Sequence, residues 1–413
     1  MTISDAHASA AARASTLALT LCACAALLEG FDNQSLGVAA PRLFPEFGLS
    51  SAQGSLLFSA TTVGLAFGAV IGGRLADRSG RKLALVLSLL LFGVSSFATA
   101  LGTHLSQLFV ARALTGLGLG GAMPNSIAIS SEAVAPQRRL RVVSTVTAAL
   151  PLGGAIAGLL ALGQSRGWPW RSIFYVGGVA PLLLALACWR WLPSSPLSVR
   201  EPRQRTVPRP AVAALFGGVH LSITLQLWMG FFFMHLLLLL LLNWLPTLFI
   251  GFGFTRTQAS WSAVAFNVCG AFIGAALARL QSGNQRRRWV LFTYLGMAVA
   301  LAALSQLGHS FPRAILACAC AGSFVIGGQL ILYALAPVCY PYSVRGTGVG
   351  AAVAIGRVGS IVGPLYAGAL LSLGAGSMTV LLATLPFVLL SGGAAFALTR
   401  RGDSLDAELN APH

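Results

Sequence analysis

Long apolar runs separated by short polar turns recur from one end of the chain to the other. Each is about 20 residues or more, the length an α-helix needs to cross a hydrocarbon core of about 30 Å. Twelve are predicted, at 16–40, 53–74, 83–102, 107–130, 142–163, 171–192, 220–246, 258–280, 289–308, 312–337, 346–372 and 376–399. The pattern predicts an all-α polytopic membrane protein. The longest polar interruption, 193–219, is rich in Pro and Arg and reads as a cytoplasmic linker. It divides the chain into a six-helix bundle at 1–192 and a second at 220–413, which includes a short tail.

The two halves repeat. Pro41-Arg-Leu-Phe44 and Phe47-Gly-Leu-Ser50-Ser-Ala-Gln53 return as Pro246-Thr-Leu-Phe249 and Phe252-Gly-Phe-Thr255-Arg-Thr-Gln258. In each copy a hydroxyl residue three before Gln predicts a capping box that starts the next helix. Gly68, Gly72 and Leu75 return as Gly270, Gly274 and Leu277. Gly64, Gly68 and Gly72 fall at four-residue steps, and Gly116, Gly118, Gly120 and Gly121 cluster in the fourth run. Small residues at this spacing let membrane helices approach closely. A parallel repeat of six-helix halves is a known transporter plan, with a substrate site near the bilayer midplane.

Composition agrees with this reading. The 413 residues are 56 % hydrophobic and 9 % charged, against about 25 % charged in soluble domains. The net charge of +17 would suit a nucleic-acid binder, but its distribution does not. With the N-terminus placed in the cytoplasm, cytoplasmic segments hold 20 of the 27 basic residues. Outside loops hold Arg42, Arg166, Arg171, Arg256 and Arg313, and only Arg112 and Arg357 fall inside membrane segments. This is the positive-inside asymmetry, and it predicts a multi-pass protein of the cell inner membrane with both termini cytoplasmic. The bilayer is the expected partner, and nucleic acid is not. The seven Cys lie in or at the ends of apolar runs without metal-ligand spacing. They read as small packing residues, and no metal or cofactor is expected. The first run has no clear cleavage site and carries two acids, so it reads as a membrane helix rather than a removed signal peptide.

The sharpest motif follows the second run: Gly73-Arg-Leu-Ala-Asp77-Arg-Ser-Gly80-Arg81-Lys82. It resembles the signature loop of the major facilitator superfamily at every defining position. That resemblance implies that Asp77, Arg78 and Arg81 gate the cytoplasmic side, with Glu132 contacting the Arg78/Arg81 loop and Arg345 grouped with them. In the second copy, Ala275-Ala-Leu277-Ala-Arg279, Ala replaces the Gly and Arg replaces the Asp, so the matching gate is in doubt. Further runs narrow the likeness. Glu29-Gly-Phe-Asp32-Asn-Gln34, Ala111-Arg112-Ala-Leu-Thr-Gly116 through Pro124-Asn125, Asn243-Trp244-Leu245-Pro246, and Arg345-Gly-Thr-Gly348 through Gly363-Pro364 resemble the aromatic acid:proton symporter family. The resemblance implies a monomeric importer of a small aromatic carboxylate, such as a hydroxyphenylpropionate or a hydroxybenzoate. Protons would be cotransported by alternating access. A proton-coupled drug or organic-anion exporter of the same superfamily is the alternative, faintly suggested by Leu150-Pro151-Leu-Gly153-Gly154. An enzyme is disfavoured.

The candidate chemistry sits where charge is most expensive. Glu29 and Asp32, three residues apart, share one helix face. Pro41 comes nine residues after Asp32, which at about 1.5 Å per residue places Asp32 roughly 13 Å inside the membrane. A carboxylate there faces a cavity or a partner; the alternative is an acid near a helix end reaching for water. Both acids are candidate proton carriers. Arg357, about twelve residues into the eleventh run, reaches a similar depth, and its planar donor fork fits a substrate carboxylate. Its alternative is a permanent ion pair with Asp32 or Glu29. Arg112 either binds substrate or braces the first helix by pairing with Asp32. His235 either lines the cavity and relays a proton or is a hydrogen-bonded packing residue. Asn125, Gln329, Tyr333 and Asn243 are candidate partners for a phenolic hydroxyl. Trp244 and Phe232 are candidate ring contacts, or ordinary membrane packing.

Overall fold

The computed structural model describes residues 3–135, 138–163, 167–192, 215–217, 219–280, 285–306, 310–340 and 344–409, all helical or in turns. It forms two compact units, Met1–Glu201 and Pro202–His413. Of the expected linker at 193–219, only 215–217 and 219 fall within the described residues.

The first unit is built from α1 (Ile3–Phe47), α2 (Ser51–Ser79), α3 (Arg81–Leu101), α4 (Leu105–Glu132), α5 (Arg139–Thr147), α6 (Ala149–Leu162) and α7 (Arg171–Trp191). The second holds α8 (Val219–Gly251), α9 (Arg256–Cys269), a π-turn (Gly270–Gly274), α10 (Ala275–Arg279), α11 (Arg286–Ser305), α12 (Phe311–Leu335), α13 (Arg345–Ser372), α14 (Ser377–Leu382) and α15 (Leu385–Leu409). Among the described residues, eleven helical stretches are long and apolar enough to cross a membrane. The twelfth, α4, is 28 residues long, and its interior Arg112, Asn125 and serines lower its hydropathy. With α4 the chain has the twelve spans the sequence predicts, six in each unit.

Proline accounts for most departures from the predicted boundaries. The fifth run breaks at Ala148, between α5 and α6. Pro151 has no N–H to donate to Thr147, four residues back, so the helix interrupts there. The last run breaks between Leu382 and Leu385, and Pro386 stands four residues after Leu382. Pro41, expected to end the first run, does not. The helix continues through Pro41 and Pro45 to Phe47, which leaves Asp32 near the middle of the Ser15–Phe47 span. The acid therefore stands further from the end of its helix than the sequence implied.

Both predicted capping boxes are present. The Ser50 hydroxyl accepts from the Gln53 N–H at 3.3 Å, and the Gln53 side chain accepts from the Ser50 N–H at 3.0 Å. Thr255 and Gln258 repeat the exchange at 3.3 and 2.9 Å. Gly80 ends α2 and opens α3 with φ +89°, a backbone state that only glycine enters freely. That requirement explains one glycine of the signature loop.

The glycine stripes are the contact seams. A Cβ at Gly116 would sit 1.9 Å from the Thr61 carbonyl oxygen, and one at Gly68 would sit 2.1 Å from that of Leu117. Helices α2 and α4 thus pack backbone to backbone. In the second unit Gly322 presses on Phe266 in the same way, at 2.0 Å. Here the facing helix α9 relaxes into the π-turn at Gly270–Gly274, which its counterpart in α2 does not. Helices α1 and α6 make a further seam through Gly30 and Gly153, and α8 and α13 through Gly359 and Gly363.

A side chain on such a seam must push two backbones apart. Gly116→Ala should sharply reduce folded protein recovered in detergent, by the cost of overpacking, roughly 1–3 kcal/mol or more. Gly393→Ala, where nothing lies within 4 Å, should leave recovery and melting temperature unchanged. Equal recovery of the two would disprove the seam.

Candidate functional site

The first unit buries an ion pair. Arg112 is fully buried, and its Nη1 donates to Asp32 Oδ1 at 2.9 Å. Every other part of the guanidinium is also engaged. Nε donates to Thr99 Oγ1 at 3.0 Å and Nη2 to Thr115 Oγ1 at 2.9 Å. The guanidinium carbon stands 4.8 Å from the centre of the Phe174 ring, a cation–π distance. The two threonines are held in turn, Thr99 donating to the Ser95 carbonyl and Thr115 to that of Ala111. Arg112 therefore braces α1 against α3, α4 and α7. Asp32 is only half engaged: its Oδ2 is buried with no hydrogen-bond partner among the described residues. Glu29 lies one turn earlier, also buried, as the shared helix face requires.

Sequence reasoning named Arg112 and Asp32 but missed Thr99, Thr115 and Phe174. A signal for the threonines was present. Thr115 is three residues after Arg112, and Ser88, Ser95, Ser96 and Thr99 mark a polar stripe on an otherwise apolar run.

The second unit gathers another group around His235, which is 3 % exposed. Its Nδ1 lies 3.0 Å from the Phe231 carbonyl oxygen. Its Nε2 faces the Gln329 amide nitrogen and the Tyr333 hydroxyl, each at 3.4 Å. The Phe231 ring stacks on the imidazole at 5.7 Å, and the Tyr333 ring meets it edge-on at 6.0 Å. On a further side Gly356 lies against the ring: a Cβ there would be 3.0 Å from Nδ1. Arg357 is the next residue along α13. It is half-buried and close enough to His235 to act on it electrostatically. Among the described residues of this unit, no hydrogen bond or ion pair holds Arg357.

Other candidates are placed apart from these two groups. The Asn125 amide donates to the carbonyls of Gly121 at 2.8 Å and Gly72 at 3.4 Å, tying α4 to α2. Asn243 donates to Leu239 in its own helix at 2.8 Å. Trp244 is fully buried, and its indole N–H donates to the Pro364 carbonyl at 3.0 Å, across the α8–α13 seam. In the signature loop, Asp77 and Arg78 are exposed. Arg81 forms an ion pair with Glu132, which the resemblance implied. Arg345 Nε donates to the Tyr340 carbonyl at 3.4 Å. Among the described residues no cluster of His, Cys, Asp or Glu could hold a metal ion.

Twelve apolar helices in two repeated six-helix units, with charged residues held inside the spans, define a polytopic membrane carrier. The chain matches the family model described as Major Facilitator Superfamily over residues 22–364, and it belongs to that superfamily. It is a transporter of small molecules and not an enzyme. It is 41 % identical over 385 residues to the 3-(3-hydroxy-phenyl)propionate transporter of Escherichia coli (strain K12), covering 93 % of this chain and 94 % of that one. It is 34 % identical to the 4-hydroxybenzoate transporter PcaK of Pseudomonas putida, covering 86 % of each. It is 31 % identical to the gallate transporter of Pseudomonas putida, covering 87 % and 86 %. Among solved structures, the D-xylose-proton symporter superposes with a TM-score of 0.76 at 17 % identity, over 93 % of this chain and 97 % of that one. That likeness shows the fold alone.

The ion pair carries its own test. Removing one member of a buried pair strands the other charge at a cost of roughly 3–5 kcal/mol, whereas replacing both by apolar residues is often neutral. Arg112→Met should therefore lower the melting temperature of the purified protein strongly. Arg112→Met combined with Asp32→Leu should recover most of the loss. A double variant as unstable as the sum of the singles would exclude the pairing.

Proposed function

We propose that the chain is a proton-coupled importer of a small aromatic carboxylate, such as 3-(3-hydroxyphenyl)propionate or a hydroxybenzoate, working by alternating access. The observation that carries the substrate class is Arg357. It is a guanidinium inside a membrane-spanning helix, half-buried and, among the described residues of its unit, without an anionic partner. A charge so placed calls for an anion, and its donor fork suits a carboxylate. The relatives named for hydroxyphenylpropionate, hydroxybenzoate and gallate support the same class.

Asp32 and Glu29 are the proposed proton carriers. Protonation of Asp32 at its unpartnered Oδ2 would weaken the attraction to Arg112 and leave the cation with neutral partners alone, a less stable arrangement. Thr99, Thr115 and the Phe174 ring would continue to hold it. Helix α1 would then be released from α4 in one protonation state and drawn to it in the other, a coupling of charge to helix position. Arg112 acts here as a positioning residue. Asn125, Asn243 and Trp244 act through helix packing, their amide or indole N–H groups being engaged with backbone. Asp77, Arg78, Arg81, Glu132 and Arg345 are assigned to the cytoplasmic gate. An exposed pair such as Arg81–Glu132 contributes at most about 1 kcal/mol, a strength that can be broken once per cycle. The basic asymmetry of the loops supports a cytoplasmic-membrane location with both termini inside. The protein is assigned as a monomer.

Uptake of labelled 3-(3-hydroxyphenyl)propionate into vesicles with an imposed inward proton gradient tests the whole reading. Gradient-driven uptake is expected. Lowered accumulation would mark an exporter. Asp32→Asn should abolish the gradient-driven component while Asp403→Asn should not; normal uptake by the Asp32 variant would sink the coupling role. Arg357→Lys keeps the charge and loses the fork. It should raise the half-saturating concentration on the order of tenfold, the worth of one good charged hydrogen bond. An unchanged value would remove Arg357 from carboxylate binding.

A further inference from the structure

The group around His235 has a polarity that packing alone does not require. Its Nδ1 has the Phe231 carbonyl at 3.0 Å, and a carbonyl can only accept. In the neutral ring this assigns the hydrogen to Nδ1, and Nε2 then presents a lone pair. Two donors converge on that one lone pair, the Gln329 amide N–H and the Tyr333 O–H, each at a long 3.4 Å. A single lone pair is shared between the two, and neither distance reaches the 2.7–3.2 Å of a good hydrogen bond. The imidazole itself cannot turn to improve matters, being held by Phe231, Tyr333 and the backbone at Gly356.

One acceptor and two donors around a single point are the complement of a hydroxyl, which donates once and accepts twice. We propose that His235, Gln329 and Tyr333 form a subsite that reads a phenolic hydroxyl on the transported acid. The hydroxyl donates to His235 Nε2 and accepts from Gln329 and Tyr333. His235 forms the buried floor. Tyr333, 37 % exposed, and the half-buried Gln329 form the rim, and Tyr333 yields to admit the ligand. Arg357 follows Gly356 directly on α13, and Gly356 lies against the His235 ring, so the proposed carboxylate-binding residue belongs to the same helix that packs on this group. This rests on the proposed transport of an aromatic carboxylate and adds to it a reason for selecting hydroxylated members.

A site built to bond a hydroxyl penalises the analogue that lacks it, because its own polar groups are left poorly paired. The test is competitive binding to the purified full-length chain, with matched pairs: 3-(3-hydroxyphenyl)propionate against 3-phenylpropionate, and 4-hydroxybenzoate against benzoate. Wild type should favour the hydroxylated member of at least one pair on the order of tenfold. His235→Phe keeps an aromatic ring and loses the acceptor, and should bring the ratio close to one. His235→Gln, which carries an amide oxygen near the place of Nε2, should restore most of it. Tyr333→Phe removes one donor and should lower the ratio partway, which keeps the idea testable if His235→Phe does not fold. The readout is the ratio, so a general loss of affinity moves both members alike. A wild-type ratio near one in both pairs, with binding still dependent on Arg357, would overturn the hydroxyl subsite and leave the carboxylate reading intact. Binding of none of the four acids would overturn both.

Discussion

A charge in the middle of a hydrocarbon layer has to be answered by other charges and dipoles, and the first unit is arranged around that demand. Arg112 is met by one carboxylate oxygen, two threonine hydroxyls and an aromatic face. Those groups come from α1, α3, α4 and α7, so one guanidinium registers four helices against each other. The arrangement is asymmetric: three of its contacts are neutral, and only Asp32 can change charge. The only charge that answers Arg112 among the described residues therefore comes from α1.

Close backbone approach is the second constraint, and it serves the first. Membrane helices gain little from hydrophobic association, since lipid is as apolar as leucine, so packing and polar contacts must hold them. Glycine at Gly30, Gly116, Gly153 and Gly359 brings backbones together, and a short side chain such as Thr99 on α3 can meet Arg112 on α4. The same closeness on α13 sets Gly356 against the His235 ring and leaves Arg357 beside it.

Much of this was legible in the sequence for simple reasons. Helix length and spacing are written in apolar runs, and capping in a hydroxyl three residues before a glutamine. The pairing of Arg81 with Glu132 followed from the signature-loop resemblance. What misled was proline. Pro41 reads as a stop but stays inside α1, whereas Pro151 and Pro386 each stand four residues beyond a real break. A missing N–H removes one bond in all three cases, and whether the helix yields there depends on what packs around the freed carbonyl.

The sequence by itself determined the twelve spans, the two halves and the superfamily. The spans and halves follow from distance along the chain, because rise per residue and apolar length are local quantities; the superfamily follows from the resemblance of the signature loop. Which charge meets which was settled by tertiary structure. Depth placed Asp32 within the reach of either Arg112 or Arg357, and only the rotation and packing of α1 and α4 joined it to Arg112. Likewise His235, Gln329 and Tyr333 were separate polar residues on two helices until the packing of α8 with α12 turned them toward one point. Azimuth and neighbour are properties of packed helices, and no local pattern in the chain encodes them.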